Sequence, residues 1–124
     1  MPVRGVRGAT TVSKDSVETI LLATRELLLA MIEANLSLRP EDIASVLFTV
    51  TDDICSVYPA QAARELGWTE VPLMCVQEIP IHGSLKLCVR VLISWNTEHS
   101  QSEVHHVYLH GAVQLRPDIV QANS

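Results

Sequence analysis

One arginine lies where an alternating apolar pattern predicts the middle of a β-strand. From Leu85 to Trp95 every second residue is large and apolar, which predicts a strand with one buried face. Arg90 falls on the opposite face, between Cys88 and Leu92, on a surface too apolar to be simply solvated. Because a guanidinium stays protonated in proteins, Arg90 needs a fixed anionic partner. That partner is either a carboxylate of the protein or an anionic ligand.

Three further polar side chains are predicted to lie on or beside strands and could act with Arg90. They are Arg7, Glu78 and Tyr108. Directed hydrogen bonds, bidentate in the case of arginine, make such a set typical of a site that holds a dianionic ligand. The set contains no obvious proton shuttle.

Other residue types that often carry chemistry give weaker patterns. His105 and His106 would point to opposite faces of a strand and could not bind one metal ion from the same side, so no metal is predicted. Cys75 has no evident histidine and acid partner, and we interpret it as a small buried residue rather than a thiolate nucleophile. The chain has no GxSxG elbow and no glycine-rich phosphate loop, and no cofactor is predicted.

The composition restricts the class of protein. The 124 residues predict a single domain, and a net charge of −5 argues against nucleic-acid and anionic-membrane partners. With 48% hydrophobic and only 19% charged residues, we expect apolar surface to be buried in a homo-oligomer. The three cysteines lack CxxC spacing and are interpreted as reduced thiols of a cytoplasmic protein. The N-terminus lacks the apolar segment of a signal peptide, and no apolar run is long enough to span a membrane.

The expected order of elements is β–α–β–α–β–β–β, which predicts an α+β domain with a mixed sheet and two main helices on one face. Asp15 and Glu18 resemble a capping box before the long amphipathic helix, and Asn35 is a plausible left-handed terminator. The residues after position 118 are predicted to form a flexible tail (119–124). The predicted strands are Val3–Gly8, Ala44–Val50, Val71–Gln77, Leu85–Trp95 and His105–Leu109, and the second helix is Pro59–Leu66.

Four long motifs resemble one known family. They are RGVRGATTV (Arg4–Val12), YPAQAARELGW (Tyr58–Trp68), VPLMCVQEIPIHGSLKLCVRV (Val71–Val91) and HVYLHGAVQLRPD (His106–Asp118). Together they are similar to the monofunctional, trimeric chorismate mutases of the pseudo-α/β-barrel type. The resemblance is nearly collinear and covers almost the whole chain as a single domain (1–124). It implies a homotrimer with active sites at subunit interfaces.

The resemblance also implies an isomerase reaction, the Claisen rearrangement of chorismate to prephenate in phenylalanine and tyrosine synthesis. Arg90 would stabilise the charge that develops on the ether oxygen and would also hold a carboxylate, while Arg7 would clamp the other carboxylate. Glu78 would accept a hydrogen bond from the substrate hydroxyl, as would the backbone near Cys75, and Tyr108 would donate to a carboxylate. The neighbouring subunit would supply a wall from Tyr58, Ala60, Leu73 and Met74.

Further substrate-binding positions follow from the same resemblance. Arg64 and Arg116 would lie on a mobile loop and on the C-terminal segment that close over the ligand, and Leu115 precedes Arg116 in that segment. One departure is Gln61, where the family often has lysine, which would weaken electrostatic capture of the substrate. Two alternatives remain: a trimeric ligand-binding or imine-hydrolysing domain of similar architecture, and a non-catalytic sensor of aromatic metabolites.

Overall fold

The computed structural model describes residues 1–115 and contains strands and helices in the predicted order β–α–β–α–β–β–β. The strands are β1 (Val3–Thr11), β2 (Ile43–Val50), β3 (Leu73–Gln77), β4 (Cys88–Asn96) and β5 (Val107–Tyr108), and the helices are α1 (Val17–Ala34) and α2 (Ala60–Glu65). Three short 3-10 turns are also present at Pro40–Asp42, Gln101–Glu103 and His110–Leu115. The predicted tail (119–124) and Arg116 lie outside the described residues.

The strands form one mixed sheet in the order β3-β2-β4-β1-β5, with β4 at its centre. Strand β4 is antiparallel to both β1 and β2, whereas β1 pairs with β5 and β2 with β3 in parallel. The α+β class with a mixed sheet, expected from the sequence, is therefore confirmed.

Both helices cover the same face of this sheet, as predicted. Met31 of α1 and Ala63 of α2 are fully buried in a core that also contains Phe48, Val91 and Ile93 from the central strands. Gly8 of β1 makes this packing possible, because a β-carbon there would overlap Met31 and approach Leu27. The opposite face carries no element of the described chain across most of its width, and Met74, Val76 and Leu92 are exposed on it.

The predicted start of α1 is wrong in detail. Ser16, not Asp15, is the N-cap, and its hydroxyl accepts a hydrogen bond from the backbone N–H of Thr19 at 3.2 Å. The Asp15 carboxylate instead accepts hydrogen bonds from the backbone N–H groups of Cys55 and Ser56, both at 3.1 Å. Hydrogen bonding by the Ser56 side chain lowers the pKa of Asp15 most, and these backbone contacts lower it further.

Helix α1 ends at Asn35, as predicted, but Asn35 does not end it by adopting a left-handed conformation. Asn35 has φ of −128° and is not a left-handed terminator. Its side-chain amide donates to the carbonyls of Met31 and His105, both at 2.9 Å, and its side-chain oxygen accepts from the N–H of His105. Asn35 thus ends the helix by fastening it to the segment before β5.

Three predicted strands are shorter in the structure than in the sequence pattern, and one is markedly longer. The strand predicted from Val71 begins at Leu73, whereas the strand predicted as Val3–Gly8 continues to Thr11. The predicted strand from Leu85 begins only at Cys88, because Leu87 has φ of +49°, a left-handed conformation that interrupts extended pairing. The predicted strand His105–Leu109 contracts to Val107–Tyr108. No helix within residues 1–115 is both long and apolar enough to cross a bilayer.

Candidate active site

Strand register places four residues in one row across the uncovered face of the sheet. Tyr108 of β5 pairs with Ala9 of β1, Ala9 pairs with Arg90 of β4, and Arg90 pairs with Thr49 of β2. Arg7 lies two residues before Ala9 and therefore projects from the same face of β1. Because Ala9 is small, a hollow is left between the larger side chains of Tyr108 and Arg90.

Glu78 reaches this row from the end of β3. Its backbone N–H donates to the carbonyl of Val50 at 2.8 Å, which extends the β2–β3 pairing by one bond beyond the strand. Its side-chain oxygen Oε1 lies 2.7 Å from Nε of Arg90, with 18% of the Glu78 side chain and 44% of the Arg90 side chain exposed. The anionic partner of Arg90 is thus a protein carboxylate, and the half-exposed side chain of Arg90 also lines the hollow.

A cleft of about 350 Å³ lies over this arrangement. Its volume is within the range of ordinary small-molecule sites. The other carboxylate oxygen of Glu78, Oε2, is buried and has no hydrogen-bond partner among the described residues. The residues that line the cleft include Arg7, Ala9, Leu47, Thr49, Glu78, Arg90, Leu92, Tyr108 and Leu115.

A second hollow, of about 600 Å³, lies on the loop side of the Glu78–Arg90 pair. Its walls are formed by residues 77–86 and by Thr51, Asp52 and Asp53 at the end of β2. Asp53 accepts hydrogen bonds from the backbone N–H of Leu87 at 3.0 and 3.2 Å, and it accepts another from the Thr51 hydroxyl at 2.5 Å. The loop that joins Glu78 to β4 is therefore fastened just before Arg90.

The cysteines near the site are poor nucleophiles. Burial raises the pKa of the Cys88 thiol to about 11, although the neighbouring Arg90 acts in the opposite direction. Burial also raises the pKa of Cys75, partly opposed by a hydrogen bond with the backbone of Ala60 and by the charge of Arg64. Both thiols are protonated near neutral pH, which agrees with the prediction that Cys75 is no thiolate nucleophile, but Cys75 is half-buried rather than buried as predicted.

The remaining predicted site residues lie elsewhere in the same chain. Tyr58 and Cys75 line a separate recess of about 490 Å³, and Tyr58 and Met74 are exposed by 71% and 63% of their surface. Ala60 is buried, and Leu73 packs against the core. Arg64 lies in helix α2, so its predicted location on a mobile loop is wrong. A single chain thus brings together Arg7, Glu78, Arg90, Tyr108 and Leu115, but not this second group.

The histidines are distributed over several different contacts. The Nδ1 atom of His106 accepts a hydrogen bond from the backbone N–H of Arg7, and Nε2 of His110 lies 2.9 Å from Glu26. Within residues 1–115 no cluster of three or more histidine, cysteine or acidic side chains could hold a metal ion. Residue type alone does not single out Thr49, Thr51 and Asp53, because threonine is common within strands and threonine and aspartate are common in the loops that follow them.

The sequence was compared with known protein families and with individual relatives. Residues 3–119 match the family model of type I chorismate mutases. The chain is 53% identical over 120 residues to the chorismate mutase AroH of Thermus thermophilus, covering 97% of this chain and 98% of that protein. It is 47% identical over 120 residues to AroH of Bacillus subtilis (strain 168), covering 96% and 94%.

A solved structure supports the same assignment at the level of the fold. The chorismate mutase from Clostridium thermocellum superposes with a TM-score of 0.85 and 46% identity, over 87% of this chain and 96% of that chain. The sequence resemblance, the mixed sheet and the family match agree along nearly the full length. The chain belongs to the type I chorismate mutase family.

Proposed function

We propose that this protein converts chorismate to prephenate in aromatic amino-acid biosynthesis, with Arg90 as the catalytic charge. The observation that carries the proposal is the Glu78–Arg90 pair in the open cleft. Glu78 holds Nε of Arg90 at 2.7 Å, both side chains line the cleft, and the buried Oε2 of Glu78 has no hydrogen-bond partner among the described residues.

The chemistry requires charge stabilisation rather than proton transfer. In the Claisen rearrangement the ether C–O bond breaks ahead of C–C bond formation, so negative charge grows on the ether oxygen. A cation fixed beside that oxygen stabilises the transition state more than the substrate, which is the stabilisation that raises the rate. Arg90 is fixed in this sense, because its position is set both by the central strand and by Glu78.

The other side chains of the cleft act on the remaining polar groups of the substrate. Arg7 clamps one carboxylate, Tyr108 donates a hydrogen bond to a carboxylate, and Arg90 shares a carboxylate while facing the ether oxygen. The unpartnered Oε2 of Glu78 accepts the hydrogen bond of the substrate hydroxyl. No step uses a thiol, a metal ion or a cofactor.

The free energies that these contacts can contribute are compatible with the rate acceleration expected of an enzyme. A millionfold acceleration corresponds to about 8 kcal/mol. One preorganised donor at the developing charge contributes about 3–4 kcal/mol. Holding the enolpyruvyl arm over the ring in a reactive conformer can contribute much of the rest.

The active form in this proposal is a cytoplasmic homotrimer with its sites between subunits. The uncovered sheet face and the exposed Tyr58 and Met74 support an interface, because large apolar side chains on a small domain favour burial against another copy. The predicted site residues that lie away from this cleft would close the cleft of the neighbouring subunit; they are Tyr58, Ala60, Arg64, Leu73, Met74 and Cys75. Arg116 would contact the substrate from the C-terminal segment. The three free thiols are those expected in a reducing compartment.

A cofactor-free assay tests the proposal. Purified protein should remove the absorbance of chorismate and form acid-labile prephenate, and sizing should give a trimer. Cys75→Ser should retain most of the turnover with an unchanged pH profile, because the thiol is protonated at neutral pH. Binding of chorismate without turnover would favour a sensor, and hydrolysis of imines in its place would favour the imine-hydrolysing alternative.

A further inference from the structure

We propose that Thr49 is a further substrate-contacting residue, whose hydroxyl donates a hydrogen bond to a ligand oxygen beside Arg90. The inference rests on the proposed function and adds a donor to it. Thr49 is paired with Arg90 across the β2–β4 ladder and lines the same cleft. Directly paired residues of neighbouring antiparallel strands carry their side chains on one face, about 4.5–5.5 Å apart at the β-carbons.

The hydroxyl of Thr49 is buried without a partner. Its Oγ1 has no hydrogen bond within the part of the chain that the structure describes. The fully buried Thr24 shows the usual arrangement, since its hydroxyl donates to the carbonyl of Ile20 at 2.7 Å. A buried hydroxyl without a partner costs free energy, so its retention in this position calls for a partner that arrives later.

The neighbourhood of Thr49 identifies the chemistry of that partner. Among the described residues, only two buried side-chain oxygens lack hydrogen bonds, Thr49 Oγ1 and Glu78 Oε2, and both residues line the cleft that contains Arg90. An ionised carboxylate only accepts hydrogen bonds, whereas a hydroxyl also donates. A ligand that carries both a hydroxyl and an anionic oxygen satisfies both atoms, the first at Glu78 and the second at Thr49 with Arg90.

Two substitutions at Thr49 separate the effect of losing the hydroxyl from the effect of changing the side-chain shape. Thr49→Val keeps the branched shape and removes the hydroxyl, while Thr49→Ser keeps the hydroxyl. For Thr49→Val we expect KM for chorismate to rise roughly tenfold, the effect of losing a hydrogen bond to a charged group. Thr49→Ser should return KM to within about threefold of wild type.

Thermal unfolding of the ligand-free protein provides the second readout. Thr49→Val removes an unpartnered buried hydroxyl, so its melting temperature should equal or exceed that of wild type even as binding weakens. A hydroxyl that only supported the fold, or that bonded a second copy, would give a lower melting temperature or an altered oligomeric state in Thr49→Val, and either result would overturn the proposal.

The kinetic results also distinguish a failure of the proposed role of Thr49 from a failure of the proposed chorismate mutase activity. Wild-type turnover combined with an unchanged KM in Thr49→Val would overturn the role of Thr49 alone. A wild-type protein without chorismate turnover would overturn the proposed function and this inference together. If Thr49→Val does not fold, Thr49→Ala supplies the same loss of the hydroxyl, and the same comparison of KM with Thr49→Ser decides the question.

Discussion

Oε1 of Glu78 and Nε of Arg90 lie 2.7 Å apart, and this contact joins the end of an edge strand to the centre of the sheet. The carboxylate uses one oxygen to orient the guanidinium and keeps its other oxygen buried and unpartnered. A partly exposed ion pair by itself contributes little to stability. The Glu78–Arg90 ion pair matters here because it orients the guanidinium, the cation that the proposed reaction needs.

The first prediction concerns the charge of Arg90. Citrulline keeps the shape of arginine but is neutral, so Arg90→citrulline should lower kcat by roughly 10²–10³, which corresponds to about 3–4 kcal/mol of lost transition-state stabilisation. KM should change less, because the charge acts mainly on the transition state. Steady-state kinetics of a semisynthetic protein measure both constants.

Arg4 provides the matched control for this experiment. It belongs to the same sheet, but its Nε donates to the carbonyl of His99 at 2.9 Å, away from the cleft. Arg4→citrulline should therefore keep kcat close to wild type. An Arg90→citrulline variant with near-full turnover would rule out a catalytic charge at this position.

The second prediction concerns the two acceptor oxygens of Glu78. Glu78→Gln retains one acceptor oxygen, so either Arg90 or the substrate hydroxyl must lose its partner, and kcat/KM should fall roughly 10–100-fold. Glu78→Ala should lose more, because both contacts disappear. The exposed Glu70 serves as the control, and Glu70→Gln should be nearly neutral. Equal kinetics for the two glutamine variants would contradict the role of Glu78.

The sequence predicted the faces of the strands better than the contacts made on them. Strict alternation around Arg90 assigned it correctly to the face opposite Val89 and Val91, because a strand has a period of two. The sequence left open whether the partner of Arg90 is a protein carboxylate or a ligand, and it did not identify Glu78, because a period of two does not show which carboxylate a loop brings near. The left-handed conformation of Leu87 has no signal in its residue type.

Local rules also failed where two residues competed for one role. Asp15 and Ser16 are both good N-caps, and sequence alone does not rank them. The structure decides for Ser16 because the carboxylate of Asp15 is occupied by the loop at Cys55 and Ser56. Thr49 was missed for a similar reason, since a buried hydroxyl is informative only after its lack of a partner is known.

The third prediction concerns the packing of α1 against β1 at Gly8. Gly8→Ala should lower the free energy of unfolding by about 1–3 kcal/mol, because the added methyl group would displace the buried Met31 side chain. Gly5→Ala is the control on the same strand, where the added carbon would meet Leu92 at an ordinary 3.5 Å. Urea unfolding of both variants measures the difference. A Gly8→Ala protein as stable as Gly5→Ala would show that Met31 yields without cost.

The fourth prediction is a loss of stability at alkaline pH caused by Cys88. Its thiol has a pKa of about 11 in the folded chain, against an ordinary value of 9.0. Between these values the folded state binds more protons than the unfolded state, so stability falls as pH rises from 9 toward 11 and this contribution is fully present below 9. The loss should be on the order of 1–2 kcal/mol.

Cys88→Ala isolates this contribution from the ionisation of other groups. The alanine variant is expected to be less stable overall, because it leaves a small cavity, but its decline between pH 9 and 11 should be shallower than that of wild type. Parallel curves of unfolding free energy against pH for the two proteins would show that Cys88 does not titrate in this window.

The fifth prediction concerns the fastening of the loop before Arg90. The carboxylate of Asp53 accepts two contacts from the Leu87 N–H and one from the Thr51 hydroxyl, and it holds Leu87 in its left-handed conformation. Asp53→Ala should lower the free energy of unfolding by about 1.5–3 kcal/mol, because hydrogen bonds to a charged group are lost. Turnover should fall by about tenfold as β4 loses its fixed start near Arg90. The exposed neighbour Asp52 is the control, and equal stability and turnover in Asp52→Ala and Asp53→Ala would show that Arg90 is positioned without this contact.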